Sequence, residues 1–266
     1  MRLKINHTTH YTYDEPVPYA LQQLRLTPKT GHGQTVLDWT VRVEGGQKQL
    51  SFEDQHHNTV DLISFDAGTT EITVHCEGTV EVEDNHGVIG QHGGFMPMWM
   101  FLRSTDVTRA GPLVRRLASG VEGEPGSLAW LHGLSAAIRA AVAYETGRSD
   151  VGWSAENVLD AGHGVCQDHS HVFIACCRHL DVPARYVSGY LMMNDRIDQE
   201  ATHAWAEAWI EGLGWVGFDV SNGISPDTRY VRAATGLDYA EAAPVSGTRF
   251  GTAGEALSVQ VQVQQQ

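Results

Sequence analysis

The spacing of apolar residues changes near residue 95, and this change limits the folds that the chain can adopt. Before that point, apolar and polar residues alternate, as in strands with one buried face. The clearest alternating segments are residues 3–13, 36–43, 70–76 and 80–84. Glycine pairs and polar clusters between these segments favour turns. We therefore predict a β-rich region over residues 1–95, folded as a sandwich or a curled sheet.

Beyond residue 95 helical spacing comes first and strands follow. Apolar residues recur every three or four positions over residues 127–144, and a further helix is predicted over residues 165–179. The predicted strands that follow are residues 184–191, 202–210, 215–220 and 257–263. Helices that precede strands favour an α+β domain over a doubly wound parallel sheet. We assign this second domain to residues 96–266.

Bulk properties exclude several classes of function. The 266 residues include 32 acidic and 18 basic side chains, a formal charge of −14, so nucleic acid is not an expected partner. No apolar run of about 18 residues is present, and no membrane span is expected. The first residues also lack the apolar stretch of a secretory signal. The four cysteines do not suggest a disulfide framework, and a cytoplasmic location is the resulting prediction.

Cys166 lies where a loop with two glycines enters the predicted helix over residues 165–179. A thiol at a helix N-terminus lies at the positive end of the dipole, beside free backbone N–H groups, and both stabilise the reactive thiolate. The same N–H groups can stabilise the oxyanion that forms when a thiolate attacks a carbonyl. The alternative is an inert buried cysteine. That alternative suits Cys176 and Cys177 better, because they lie mid-helix among apolar residues.

His203 and Asp219 lie on two predicted strands that a short break near Gly212 joins. A hairpin there places Asp219 within a residue or two of the position opposite His203, where opposed Cβ atoms lie about 4.5–5.5 Å apart. A carboxylate at that position can hold the imidazole tautomer and stabilise the imidazolium. Each residue alone has a structural explanation. Together with Cys166, they indicate a Cys-His-Asp triad.

Three short runs carry a resemblance to a known family. They are GVCQDH at residues 164–169, HAWAE at residues 203–207 and GWVGFD at residues 214–219. They resemble bacterial transglutaminase-like proteins, a family that includes predicted cysteine proteases and shares a papain-like core. Upstream, residues 13–17, 21–28 and 36–39 resemble the β-rich domain that accompanies this family. Val220 and Ser221 depart from the Pro and Thr that relatives usually carry after the Asp.

The resemblance implies an α+β fold: an N-terminal β-sandwich-like domain, then a papain-like transglutaminase core with helices on an antiparallel sheet. It implies that Cys166 is the nucleophile, His203 the general base and acid, and Asp219 the orienting carboxylate. We also predict substrate contacts for Trp153, Gln167 and Trp205. The expected partner is a peptide or another amide substrate, with no cofactor and no metal.

The expected chemistry is acyl transfer through a Cys166 thioester. Hydrolysis is favoured over transamidation because no amine site or calcium loop is evident in the sequence. A protein-glutamine transglutaminase and a non-catalytic binding module remain alternatives. Zinc is a weaker alternative for the neighbouring His163, Cys166, His169 and His171, because paired metal-ligand motifs are absent.

Overall fold

The computed structural model describes residues 1–266 and contains sixteen strands, five α-helices and one 3₁₀ helix. The strands are β1 (Arg2–Val17), β2 (Tyr19–Leu24), β3 (Gln34–Glu44), β4 (Gly46–Glu53), β5 (Thr59–Phe65), β6 (Thr69–Val82), β7 (Val88–Gly90), β8 (Ala143–Tyr144), β9 (His163–Gly164), β10 (Ala184–Leu191), β11 (Asp198–Gln199), β12 (His203–Ile210), β13 (Gly214–Phe218), β14 (Tyr230–Gly236), β15 (Val245–Phe250) and β16 (Glu255–Gln265). The helices are α1 (Pro112–Ser119), α2 (Leu128–Ala141), α3 (Ala155–Ala161), α4 (Cys166–His179), α5 (Tyr239–Ala242) and the 3₁₀ helix Met98–Leu102. No helix combines the length and the apolar character needed to cross a bilayer.

Two antiparallel sheets form the β-rich part of the molecule. One has the strand order β11-β16-β1-β6-β3, and the other has the order β15-β2-β5-β4. Alternate residues of β1 are buried, as its period-two pattern predicts. Ile72 and Val74 of one sheet share an apolar cluster with Leu24 and Ile63 of the other. The predicted sandwich-like arrangement is therefore confirmed.

The end of the chain returns to this sandwich. The final strand β16 pairs antiparallel with β1, in a register that sets Leu3 opposite Gln265. β15 pairs with β2 in the other sheet. Without β16, β1 would be an edge strand with a row of unpaired backbone groups. The last two strands, which fall in the predicted domain of residues 96–266, thus lie in the same sheets as strands of residues 1–95. The division at residue 95 stays a prediction.

A third sheet, with the order β14-β10-β12-β13-β7, carries the helices on one face, and we call it the central sheet. Its neighbouring strands all pair antiparallel. Ala204, Ala206 and Ala208 of β12 turn towards the helices and share the largest apolar cluster with Phe173 of α4. Small side chains on the sheet allow a helix to pack closely against it. The predicted α+β core, with helices on an antiparallel sheet, is confirmed.

The opposite face of the central sheet holds a buried ion triad. Glu207 of β12 accepts hydrogen bonds from Arg185 of β10 at 2.6 Å and from Arg232 of β14 at 2.7 and 3.2 Å. Burial alone would raise the pKa of Glu207, but the two guanidinium groups outweigh it and lower the pKa to about 2. The triad therefore stays ionised at neutral pH and joins three neighbouring strands.

Candidate active site

The loop before α4 positions Cys166 by tight packing around Gly164. The short strand β9 pairs in parallel with β8, and α4 begins at Cys166. The Asp168 carboxylate turns back and accepts a hydrogen bond from the Val165 N–H at 2.8 Å. A Cβ on Gly164 would lie 2.7 Å from the Cβ of Asp168, so a larger residue cannot occupy that position without a shift. This packing fixes the entry of the chain into the helix.

Cys166 is the cysteine that combines partial exposure with a helix N-terminus. It is the first residue of α4 and is half-buried, whereas Cys76, Cys176 and Cys177 are buried. Burial raises the pKa of Cys76 and of Cys176 to about 12, so both stay protonated at neutral pH. The burial of Cys176 and Cys177 fits the inert alternative that their mid-helix position suggests.

The predicted hairpin is present and brings His203 to Asp219. β12 and β13 pair in a register that sets Ala206 opposite Phe218 and Ile210 opposite Gly214. Continuing this register places residue 221 opposite His203, so Asp219 lies two residues from that position. The turn contains Gly212 at φ 83°, a conformation that favours glycine. His203 Nε2 and Asp219 Oδ2 lie 2.7 Å apart.

Asp219 is fully buried and accepts several hydrogen bonds. Oδ2 accepts from the Tyr230 hydroxyl and from the Asn222 side-chain amide, each at 2.7 Å, in addition to His203. Oδ1 accepts from the Asn222 backbone N–H at 3.2 Å. Burial would raise the pKa of Asp219, but the hydrogen bonds and the charge of His203 outweigh it and hold the pKa below its usual value. The carboxylate is therefore ionised and fixed in place.

His203 is placed to stay protonated at neutral pH. Burial would lower its pKa, but hydrogen bonds to Asp219 and Cys166, together with their charges, raise the pKa to about 10. Because Nε2 is engaged by Asp219, Nδ1 is the ring nitrogen that remains for the Cys166 thiol. A cationic imidazolium stabilises a thiolate beside it. Cys166, His203 and Asp219 thus lie in the order that the predicted triad requires.

Trp205 lies behind His203 and not on an open surface. It is fully buried, and its ring centroid lies 6.2 Å from that of His203 and 5.4 Å from that of Tyr230. The indole N–H has no hydrogen-bond partner. In this structure Trp205 supports the imidazole from the interior, and it offers a substrate no free face.

Trp153 and Gln167, the other predicted substrate contacts, lie beside the loop that leads to Cys166. Trp153 is half-buried against the helical core, and its ring centroid is 5.6 Å from that of His163. Gln167 Nε2 donates to the Val151 carbonyl at 2.9 Å. Both remain predicted substrate contacts, although the Gln167 amide would have to leave Val151 to donate to an oxyanion.

Sequence reasoning missed two partners of the carboxylate, Tyr230 and Asn222. Tyr230 begins β14, whose seven residues are all buried and mix small, polar and apolar side chains, so the strand has no period-two signal. Asn222 lies in the predicted turn after Asp219, where side chains of this type commonly bond nearby backbone. Ser221, a departure from the family pattern, contacts His169 Nδ1 through its hydroxyl at 2.8 Å.

The residues of the zinc alternative do not converge. His169 Nε2 donates to the Val142 carbonyl at 3.1 Å, and His171 Nε2 accepts from the Tyr239 backbone N–H at 3.2 Å. His163 contacts the Ala161 carbonyl at 3.0 Å. Burial, with a smaller effect of Arg178, lowers the pKa of His171 to about 3. These histidines are thus engaged by different parts of the protein.

Two family models match separate parts of the chain. Residues 115–220 match the transglutaminase-like superfamily, and residues 3–81 match the bacterial transglutaminase-like N-terminal region. The chain has a bacterial transglutaminase-like N-terminal domain, followed in the sequence by a transglutaminase-like core. The core match includes Cys166, His203 and Asp219 and ends one residue after Asp219.

Similar proteins occur in several bacteria. An uncharacterized protein of Mycobacterium leprae is 26% identical over 287 aligned positions, which cover 98% of each chain. An uncharacterized protein of Mycobacterium tuberculosis is 37% identical over 127 residues, covering 44% of this chain and 40% of that protein. A crystal structure described as a putative cysteine protease from Cytophaga hutchinsonii superposes with a TM-score of 0.80 at 22% identity, covering 100% of this chain and 91% of the other. That likeness shows that the two chains share a fold over their whole length.

Proposed function

We propose that this transglutaminase-like protein is a cysteine hydrolase that cleaves amide bonds through a Cys166 thioester. The single observation that carries the proposal is the 2.7 Å hydrogen bond between His203 and the buried Asp219, on an imidazole whose pKa Cys166 also helps to raise. A nucleophile, a base beside it and a group that orients the base are the arrangement that covalent catalysis requires. The family match supports the same assignment.

The proposed reaction has two steps. The Cys166 thiolate attacks the amide carbonyl, and the protonated His203 donates its proton to the departing amine as the C–N bond breaks. Backbone N–H groups at the start of α4 lie where they can stabilise the oxyanion. Water, deprotonated by His203, then attacks the thioester and releases the acid, which restores Cys166.

The identity of the second nucleophile separates hydrolysis from transamidation. The triad serves either reaction, because the thioester accepts water or a primary amine. A hydrolase should release one amine, or ammonia from a glutamine amide, for each carboxylate formed. A transglutaminase should instead form a new amide when an amine is present.

The test is a screen of peptides and glutamine-containing peptides, with and without an added primary amine. Free amine, ammonia and cross-linked product are each measured by mass spectrometry. We expect free amine or ammonia with a matching carboxylate, in amounts that the added amine does not change. Cross-linked product as the main species would overturn hydrolysis in favour of transamidation. Absence of any turnover, with the folded protein in excess, would favour the binding-module alternative.

A further inference from the structure

A large polar cavity lies between the N-terminal sandwich and the central sheet, on the face opposite the helices. Its volume is about 610 Å³, within the range of small-molecule sites. None of Cys166, His203 or Asp219 lines it. The walls come from residues 27–36 and 53–59, the loop at 91–94, and the central sheet strands that carry Arg185 and Arg232.

The wall of this cavity is cationic, although the whole protein carries a formal charge of −14. Lys29, Arg185 and Arg232 line it, and Glu53 is the lining carboxylate. Glu53 is engaged by His57 at 3.1 Å. Glu207, behind the wall, supplies one carboxylate for two guanidinium groups.

The two guanidinium groups keep donors free towards the cavity. Arg185 uses Nε and Nη2 on Glu207, and Arg232 uses Nε and Nη2 on the same carboxylate. Neither Nη1 group donates to a protein acceptor. Arg185 is further held by stacking on Trp215, with Cζ 4.1 Å from the ring centroid. Their positions are thus fixed before any ligand arrives, which lowers the entropy cost of binding.

Lys29 adds a third cationic donor group at a fixed place. Its Nζ donates to the His56 carbonyl at 2.6 Å and to the Thr235 hydroxyl at 3.2 Å. Burial, followed by the charges of Arg232 and Arg185, lowers the pKa of Lys29 to about 7, although Glu207 and Asp54 act in the opposite direction. An anion placed between Lys29, Arg185 and Arg232 would favour the protonated form of Lys29 and offset the repulsion among the three cations.

We propose that this cavity binds a small polyanion that carries carboxylate or phosphate groups, held by Lys29, Arg185 and Arg232. Carboxylate and phosphate oxygens accept hydrogen bonds from guanidinium groups, and such charge-assisted hydrogen bonds are among the stronger ones in proteins. The Nη1 groups of Arg185 and Arg232 are free to donate them. The polar lining disfavours an apolar ligand, since one of the fifteen lining residues is hydrophobic. The site is separate from Cys166, His203 and Asp219, and the proposal does not depend on the proposed hydrolysis.

Titration calorimetry of the full chain with inorganic pyrophosphate and with citrate tests the proposal. We expect saturable binding of one anion per chain for at least one of the two probes. Pyrophosphate alone would identify a phosphate site, citrate alone a carboxylate site. Lys29→Gln should weaken binding at least about tenfold, because it removes a charged donor from a buried site. Lys29→Arg, which keeps the charge, should bind within a few-fold of the original protein.

Two further variants test whether any loss of binding comes from the cavity itself. Arg115→Gln removes an equal charge from the exposed face of α1 and should leave binding unchanged. Thr30→Glu adds a negative charge at an exposed residue of the cavity wall and should also weaken binding, even if Lys29→Gln does not fold. Absence of saturable binding by both probes would overturn the proposal. Equal effects of Lys29→Gln and Arg115→Gln, or no effect of Thr30→Glu, would overturn it as well.

Discussion

Replacement of Cys166 with alanine is expected to lower the rate of amide cleavage by more than about 10⁴-fold. The substitution removes the sulfur that forms the proposed thioester. The folded state should be unaffected, because Cys166 is half-buried at the start of α4 and the substitution removes one sulfur atom from the helix end. Product release from a peptide substrate and thermal unfolding should be measured on the same preparation.

The matched control is Cys176→Ala. Cys176 lies on the same helix but is buried, with its thiol directed to the Val114 carbonyl at 3.8 Å. We expect this variant to keep its turnover rate per folded molecule, although the lost sulfur leaves a small cavity and lowers stability. Full activity in Cys166→Ala would remove Cys166 from the mechanism.

Replacement of Asp219 with alanine should lower turnover by about 10²- to 10⁴-fold. The carboxylate orients His203 and stabilises its positive charge, and it also accepts hydrogen bonds from Tyr230 and Asn222. Asp219→Asn is the matched variant. It removes the negative charge but keeps one oxygen that can accept a hydrogen bond. We expect Asp219→Asn to retain more activity than Asp219→Ala.

The pH profile distinguishes a catalytic role of Asp219 from a structural one. His203 has a pKa of about 10, above its ordinary value, so the protonated form persists through neutral pH and is lost as the pH rises towards 10. Activity that needs the imidazolium should therefore fall on the alkaline side near pH 10. In Asp219→Asn the supporting charge is absent, and this alkaline limb should move to lower pH. An unchanged limb would show that Asp219 does not set the protonation of His203.

Much of the site could be predicted from the sequence because its parts are local. The start of α4, the β12–β13 hairpin and the offset between His203 and Asp219 follow from spacing within short segments. Cys166, His203 and Asp219 each lie in one of the three short runs that carry the family resemblance, and this singles them out among the cysteines, histidines and aspartates of the chain. The sequence thus predicted the three residues that the structure brings together.

The remaining features depend on contacts between distant segments. β16 pairs with β1 across more than 240 residues, and no local period encodes which strand a final segment will join. Tyr230 reaches Asp219 from a fully buried strand without alternation. The Arg185, Glu207 and Arg232 triad likewise requires three strands to be adjacent. Strand alternation correctly places Trp205 on the same face of β12 as His203, but it does not show whether that face is open to a substrate. In the structure Trp205 is fully buried by other parts of the protein.

Alkylation of the native protein by iodoacetamide at about pH 5.5 tests the activated Cys166 most directly, because it needs no substrate. Labelled positions are mapped by peptide mass spectrometry in the original protein and in His203→Ala. Rapid modification of Cys166 alone, slowed at least about tenfold in His203→Ala, is the predicted result. Cys166 reacting no faster than a free thiol at that pH, or at the same rate without His203, would contradict a thiolate–imidazolium pair.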